Sequence, residues 1–238
     1  MERAAVRRRL SWQLARVVEL VDETSQTKSI VLEPADWPGH LAGQHVDVRL
    51  TAEDGYQAQR SYSIASAPED DRLVLTVERL DDGEVSPYLT GELRPGDDLE
   101  LRGPIGGYFV WTESLGGPLL LIGGGSGVVP LRAMLRHHRA VGSDVRARLL
   151  YSARTQAALI YRAELKSFDT VVTLTREQWR GRTGRVDQAL LEEQAWPPAD
   201  RPLVYVCGPT GFVEAVADAL VAIGHEASRI RTERFGPT

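Results

Sequence analysis

From Trp12 onward the chain sets short alternating or β-branched runs between tight polar breaks. WQLARVVELVDE, KSIVLEP, GQHVDVRLT, AQRSYSIAS, RLVLTVERL and DDLELRG read as strands, and the separators EDG, PEDD, DDGE and RPGDD have turn compositions. Six strands of this kind predict a small antiparallel barrel. One helical segment, SPYLTGEL at 86–93, interrupts them; Ser86 has the chemistry of a cap and Pro87 suits the first helical position. The strand containing RSYSIAS is odd. Arg60, Tyr62 and Ile64 share one face and Ser61 and Ser63 the other, so neither face is cleanly apolar.

Past Gly116-Gly117 the rhythm changes to buried apolar runs, PLLLIGGG, ARLLYSAR, DTVVTLTRE, PLVYVCGP and RIRTERF, alternating with amphipathic segments. In GFVEAVADALVAIG, Val213, Val216, Ala217 and Leu220 fall on one helical face and Gly224 supplies the stop. Strand–helix alternation implies a parallel sheet with helices on both sides. The expected organisation is two domains meeting near residues 112–117. Residues 1–113 form an antiparallel six-stranded β-barrel with one short helix, and residues 114–238 an α/β parallel five-stranded doubly wound sheet.

Composition narrows the functional classes. The chain has 238 residues, 42% of them hydrophobic, enough for a substantial core, and its formal net charge of −5 lacks the basic excess of a nucleic-acid binder. The single cysteine, Cys207, excludes an internal disulfide and a cluster held by about four thiolates of this chain, and it fits a reducing, cytoplasmic setting. Arg16 and Glu19 break the run after the basic start MERAAVRRRL, so no signal peptide is expected, and no stretch of about 18 apolar residues predicts a membrane span. His40, His45, His137, His138 and His225 show no ligand spacing, so no metal site is expected.

Candidate chemistry begins with the glycine cluster in LLLIGGGSGVVPLRAML, between a buried strand and a helix. Glycine lets backbone amides approach an anion there, and the helix N-terminus adds partial positive charge. The spacing is GxGxxP from Gly125 to Pro130, which fits both a tight turn and a pyrophosphate loop. Cys207 comes at the carboxyl end of a central strand, where it is either a small buried hydrophobe or, with Ser126, the lining of a ligand crevice. At the ends of the neighbouring runs stand Arg154, Thr175 and Arg176, followed by Arg180, Arg182 and Arg185, with no acid placed to hold an unphosphorylated ribose. Singly, each arginine reads as a solvated loop residue; together they favour a 2′-phosphate.

RSYS at 60–63, GEVS at 83–86, GPIGGYF at 103–109, GGGSGVVP at 123–130 and CGP at 207–209 occur in an order that resembles the ferredoxin–NADP reductase family, over about residues 10–235. The resemblance implies an FAD domain followed by an NAD(P)H domain. It implies that Arg60 meets the FAD pyrophosphate with Ser61 beside it, that Tyr62 packs on the isoalloxazine, and that Ser63 lies near N5, the atom that receives hydride. Gly83, Val85 and Ser86 become a second phosphate contact. Gly125, Ser126 and Gly127 become the nicotinamide dinucleotide's pyrophosphate loop, Ser126 standing where threonine is more usual. Thr175 and Arg176, with Arg154, match a Ser-Arg pair that grips the 2′-phosphate. Cys207, with Gly208 and Pro209, flanks the nicotinamide by packing and not as a nucleophile; Glu233 is an acidic neighbour and Phe235 a shield for the ring. Ser63, Cys207 and Glu233 are thus the implied catalytic set.

The implied function is hydride transfer from NADPH, with NADH as the alternative, to FAD, and onward delivery to a ferredoxin, a flavodoxin or an oxygenase component. The partners are then a nicotinamide substrate and a redox-protein acceptor, with no nucleic acid and no membrane, for a chain taken as a monomer. Three other readings stay open: a flavin reductase or oxidase using free flavin, quinone or oxygen; an electron-transfer subunit of a larger complex; and a nucleotide-binding sensor without turnover.

Overall fold

The computed structural model describes residues 10–236; the basic segment MERAAVRRR, on which the leader expectation turns, and Pro237-Thr238 lie outside the described residues. The first half contains β1 (Gln13–Thr24), β2 (Thr27–Pro34), β3 (His45–Thr51), β4 (Gln57–Ser63), β5 (Leu73–Glu78), α1 (Ser86–Gly91) and β6 (Asp98–Ile105). The six strands pair antiparallel in the order β4-β3-β6-β1-β2-β5. Just past β4, Ile64 bridges Leu75 and the Ala65 amide donates to the Val74 carbonyl at 2.8 Å, joining the two ends of the sheet into a barrel. Alternation puts Ala15, Val17, Ile30, Leu32, Val46, Val48, Leu75 and Leu101 inside, with Leu89 of α1 packed on them.

Ser86 does not cap α1. Val85 occupies the cap position, Ser86 is the first helical residue, and no side chain caps the helix. The reason is nonlocal: the turn closed by Gly83 N–H to Leu80 C=O, 2.9 Å, presents the Leu80 amide, and Ser86 Oγ accepts from it at 3.0 Å.

The second half runs β7 (Leu119–Gly124), α2 (Val128–Ala140), β8 (Ala147–Ala153), α3 (Arg162–Leu165), β9 (Thr170–Leu174), β10 (Arg182–Thr183), α4 (Gln188–Gln194), β11 (Leu203–Pro209), α5 (Thr210–Ala222) and β12 (Ile230–Phe235). The strands pair parallel in the order β10-β9-β8-β7-β11-β12, so the sheet has six strands where five are expected. The extra strand, β10, is a two-residue edge inside an arginine-rich loop with no apolar run to announce it. Backbone pairing to β9 and the hydrogen bond from Thr173 Oγ1 to Gly184 C=O, 2.8 Å, hold it.

Helices cover both faces of this sheet. Leu131, Met134 and Leu135 of α2 and Leu165 of α3 pack with Leu121, Tyr151 and Tyr205. On the opposite face Leu190 and Leu191 of α4 and Val213, Val216 and Leu220 of α5 pack with Leu120, Ile122, Val204 and Val206.

The two halves share a core as well as a chain. Ala42, Ala65, Phe109 and Trp111 belong to the same buried cluster as α2 and β7. Tyr205 Oη donates to the Val110 carbonyl at 2.5 Å, and Arg231 donates to the Val110 and Tyr108 carbonyls at 2.8 and 3.1 Å. These bonds fix the segment that leaves the barrel onto β11 and β12. Tyr205→Phe removes one donor while Arg231 still satisfies Val110, so urea unfolding is expected to show a loss of about 1 kcal/mol with unchanged far-ultraviolet circular dichroism; an unchanged midpoint contradicts the role given to this bond.

Candidate active site

Parallel pairing aligns the carboxyl ends of β7, β11 and β12, and the end of β4 reaches the same place. In the β11–β12 pair Cys207 stands opposite Glu233. From the barrel, Ser63 Oγ donates to Glu233 Oε1 at 3.3 Å across a sequence separation of 170. Facing them is the turn Gly125–Gly127 that leads from β7 into α2. A β-carbon at Gly127 would lie 2.1 Å from the Cys207 carbonyl oxygen, closer than any real contact, so only glycine lets the turn sit against β11. At Gly125 the backbone has φ +58° and a β-carbon there would meet nothing within 4 Å, which leaves the approach to the turn open. Ser126 is partly exposed, and its hydroxyl has no hydrogen-bond partner among the described residues.

Burial sets the protonation states of this cluster. It raises the Glu233 carboxyl to about 7, against the opposing hydrogen bond from Ser63. Burial, and then the Glu233 charge, push the Cys207 thiol well above its ordinary value, so it is a neutral, polarisable group at pH 7. The structure therefore brings Ser63, Cys207 and Glu233 together with a carboxyl poised between its two forms. It gives Cys207 no activation as a nucleophile.

Along β4, Tyr62 is half-buried against the barrel core, and burial raises its phenol to about 12, with Arg60 opposing. Arg60 is exposed. It donates to Glu84 at 3.0 Å and to the Gln59 carbonyl at 2.7 Å, and Glu84 also accepts from Tyr56 Oη at 2.6 Å. Glu84 sits inside the GEVS motif but is not among the expected site residues; the available signal is an acid within a motif that the resemblance assigns to phosphate binding. Gly83 has no room for a side chain without moving Ser86, whose Oγ would be 3.0 Å from its β-carbon. Val85 is fully buried and Ser86 nearly so.

Ser61 faces away from Arg60 and Tyr62. Its hydroxyl is committed to buried Asp47 at 2.7 Å, and Arg102 donates to the same carboxylate at 2.6 Å. Burial would raise Asp47, but these hydrogen bonds outweigh it and hold the carboxyl below its usual range. His45, also unanticipated, is the β3 partner of Ser63; burial lowers its pKa, Asp47 opposing, so the imidazole is neutral at pH 7.

On the far side of the glycine turn, Arg154, Thr175 and Arg176 lie exposed where β8 and β9 end, joined by the Arg176 amide to the Arg154 carbonyl at 2.9 Å. Among the described residues no side-chain hydrogen bond or ion pair engages Arg154, Arg176, Arg180 or Arg185, whereas Arg182 is paired with Glu193. Gly208 packs under the Phe212 ring, Pro209 is exposed at the end of β11, and Phe235, opposite Pro209, is 36% exposed. No helix among the described residues is long and apolar enough to cross a membrane.

Comparison with known proteins identifies both halves. Residues 14–110 match the oxidoreductase FAD-binding domain and residues 121–218 the oxidoreductase NAD-binding domain. The chain is 32% identical to the glycine betaine monooxygenase reductase subunit of Chromohalobacter salexigens over 94% of its own length, and it spans 64% of that protein. It is 34% identical to ferredoxin–NADP reductase B of Sorangium cellulosum over 93% of its length and 96% of that protein. The crystal structure of the flavohem-like FAD/NAD-binding domain of nitric oxide dioxygenase from Vibrio cholerae superposes with a TM-score of 0.83 at 29% identity, covering 94% of this chain and 99% of that one.

The residues present fit both groups: an exposed guanidinium, a half-buried tyrosine ring and a close-packed Gly83 turn on the barrel, and an open glycine turn with exposed arginines beyond it on the sheet.

Two outcomes test the local physics. Because the fold favours protonated Glu233, that contribution is complete below the carboxyl's ordinary 4.5 and is lost as pH rises through about 7. Wild type should therefore lose up to about 3 kcal/mol relative to Glu233→Gln between pH 4.5 and 8 in urea unfolding; a difference that stays flat with pH contradicts the burial. Gly127→Ala should cost more than about 2 kcal/mol, because backbone must move to admit the methyl group; a melting temperature equal to wild type would show that the turn and β11 are not in contact.

Proposed function

This chain belongs to the ferredoxin–NADP reductase-like family of FAD- and NAD-binding oxidoreductases, and on that premise we propose that it oxidises NADPH through bound FAD and delivers the electrons to a separate redox protein. The observation that carries the proposal is the convergence of Ser63 from the barrel with Cys207 and Glu233 from the sheet, held by the 3.3 Å bond between Ser63 and Glu233. Bound FAD supplies the chemistry, accepting hydride from the dihydronicotinamide and releasing electrons singly.

The chain's own residues bind and orient. Arg60 exchanges Glu84 for the FAD pyrophosphate. The exchange is cheap, because an exposed pair of this kind is worth about 0–1 kcal/mol. Tyr62 offers its ring to the isoalloxazine, and Gly83, Val85 and Ser86 form the close turn beside the phosphates, while Ser61 supports the strand through Asp47. Gly125, Ser126 and Gly127 take the pyrophosphate of the nicotinamide dinucleotide. Thr175, Arg176 and Arg154 take its 2′-phosphate, the two guanidinium groups having no other side-chain partner among the described residues. Cys207, with Gly208 and Pro209, would pack against the nicotinamide. Phe235 shields the flavin edge, and Glu233, near neutrality in pKa, holds or releases a proton beside Ser63.

For the acceptor, the reductase subunit of a monooxygenase and a ferredoxin–NADP reductase among the relatives support an oxygenase component or a ferredoxin. Purified protein should carry or take up FAD, with oxidised-flavin absorbance that bleaches when NADPH is added without oxygen. A protein that cannot take up FAD overturns the proposal; turnover with free flavin and none with a ferredoxin or oxygenase component overturns the choice of acceptor.

Two substitutions separate the two cofactors. Arg60→Ala should leave the fold intact and lower FAD retention about tenfold or more, measured by flavin content after gel filtration. Arg176→Ala should raise the NADPH concentration for half-maximal bleaching about tenfold and leave that for NADH unchanged; equal effects on both nicotinamides would remove the 2′-phosphate assignment.

A further inference from the structure

Arg132 lies on α2 one turn after Val128, the first residue of the helix, and its side chain crosses to the barrel. NH1 donates to the Ala65 carbonyl at 3.0 Å. The rest of the guanidinium is held as firmly: Nε and NH2 lie 2.8 and 2.7 Å from Glu164 Oε2, and the Tyr161 ring lies beneath Cζ at 4.4 Å. Its side chain is 13% exposed and Ala65 is fully buried. Tyr161 has a left-handed backbone, φ 59°, and its hydroxyl donates to Thr76 Oγ1 of β5 at 2.5 Å. Glu164 accepts a second arginine, Arg136, at 3.0 Å, and Arg136 in turn forks onto Asp70 at 2.6 and 3.1 Å.

Several of these contacts join the two halves, but only Arg132 ends next to the active strand. Its acceptor, Ala65, follows Ser63 by two residues, about 7 Å of extended chain. The Ala65 amide is tied to Val74 on the barrel side, which leaves its carbonyl directed to α2. At the other end, Arg132 follows the last residue of the glycine turn, Gly127, by five residues, about 7.5 Å of helix. The planar fork is engaged on two edges and one face, so it has little freedom to lose on binding.

We propose that Arg132 is a positioning residue for hydride transfer: through the Ala65 carbonyl it sets the register of Ser63 against the Gly125–Gly127 turn, and so of one cofactor against the other. The inference rests on the oxidoreductase function proposed above. Arg132 forms and breaks no bond in the transfer and touches neither cofactor; it fixes the relation between their two sites. Misplacement of such a site by about 1 Å can cost up to a hundredfold in rate. A lysine keeps the charge but cannot bridge Ala65, Glu164 and the ring at once.

The test compares Arg132→Gln, Arg132→Lys and Thr76→Val, the last of which removes the Tyr161 bond across the same interface. Three readouts are taken: hydrogen–deuterium exchange over residues 60–66 in the protein as purified, the anaerobic rate of flavin reduction at saturating NADPH, and the melting temperature. Both Arg132 variants should exchange faster over 60–66 and reduce flavin about tenfold or more slowly, with the NADPH concentration for half-saturation unchanged. Thr76→Val should lower the melting temperature and leave exchange over 60–66 and the reduction rate as in wild type. Wild-type exchange and rate in Arg132→Gln overturn the inference, as does slowing in all three variants in proportion to lost stability, which marks Arg132 as interface glue. Wild-type protein that binds FAD but is not reduced by NADPH overturns the underlying function and this inference together.

Discussion

The close approach of two backbones at Gly127 and Cys207 is the constraint on which the crevice depends. A strand-to-helix turn and the end of a neighbouring strand share a space too small for a methyl group. That approach places the open Gly125 turn beside Cys207, and parallel pairing then brings Glu233 alongside. The barrel completes the site only because its last core residues, Phe109 and Trp111, are buried in the sheet's own core and the segment between them is pinned by Tyr205 and Arg231. A packed interface with few rotatable links can hold two large ligands in one relation; a flexible tether between domains could not.

Electrostatics divides the site into two kinds of ground. The meeting point of the halves is poor in solvated charge, which raises Glu233 toward neutrality and keeps Cys207 a thiol. The flanks are the reverse. Arg60 is exposed and held by a partner it can exchange, and Arg154 and Arg176 at the ends of β8 and β9 have no side-chain partner among the described residues. On the proposed function, phosphates would be met where guanidinium groups can turn to them, and the reacting ends where water and charge are scarce.

Much of the fold was legible in the sequence because strands with one buried face alternate and parallel strands buried on both faces run apolar. The barrel strands, the parallel runs and the helix over α5 all follow from that. β10 was not legible, since Arg182-Thr183 is held by backbone pairing to β9 and has no apolar pattern of its own. Ser86 looked like a cap because its type and position suited one; the Leu80 amide that claims its hydroxyl arrives through a turn. At the site, the family resemblance implied Ser63, Cys207 and Glu233, but the contact of Ser63 with Glu233 spans 170 residues and has no local signature. Glu84 could have been found as the acid inside GEVS, but its pairing with Arg60, 24 residues away, has no local signature. Arg132 could not: in sequence it is one basic residue on an amphipathic helix, and only the Ala65 carbonyl from the other half distinguishes it.

On the proposed function, the two cofactors meet at Ser63, Cys207 and Glu233. A crystal structure of the protein grown with FAD and oxidised NADP tests it most directly. The isoalloxazine should lie against Tyr62 with its reactive edge toward Ser63, and the dinucleotide's pyrophosphate on Gly125–Gly127. A flavin seated away from β4, or a dinucleotide whose pyrophosphate lies elsewhere than the glycine turn, would contradict it.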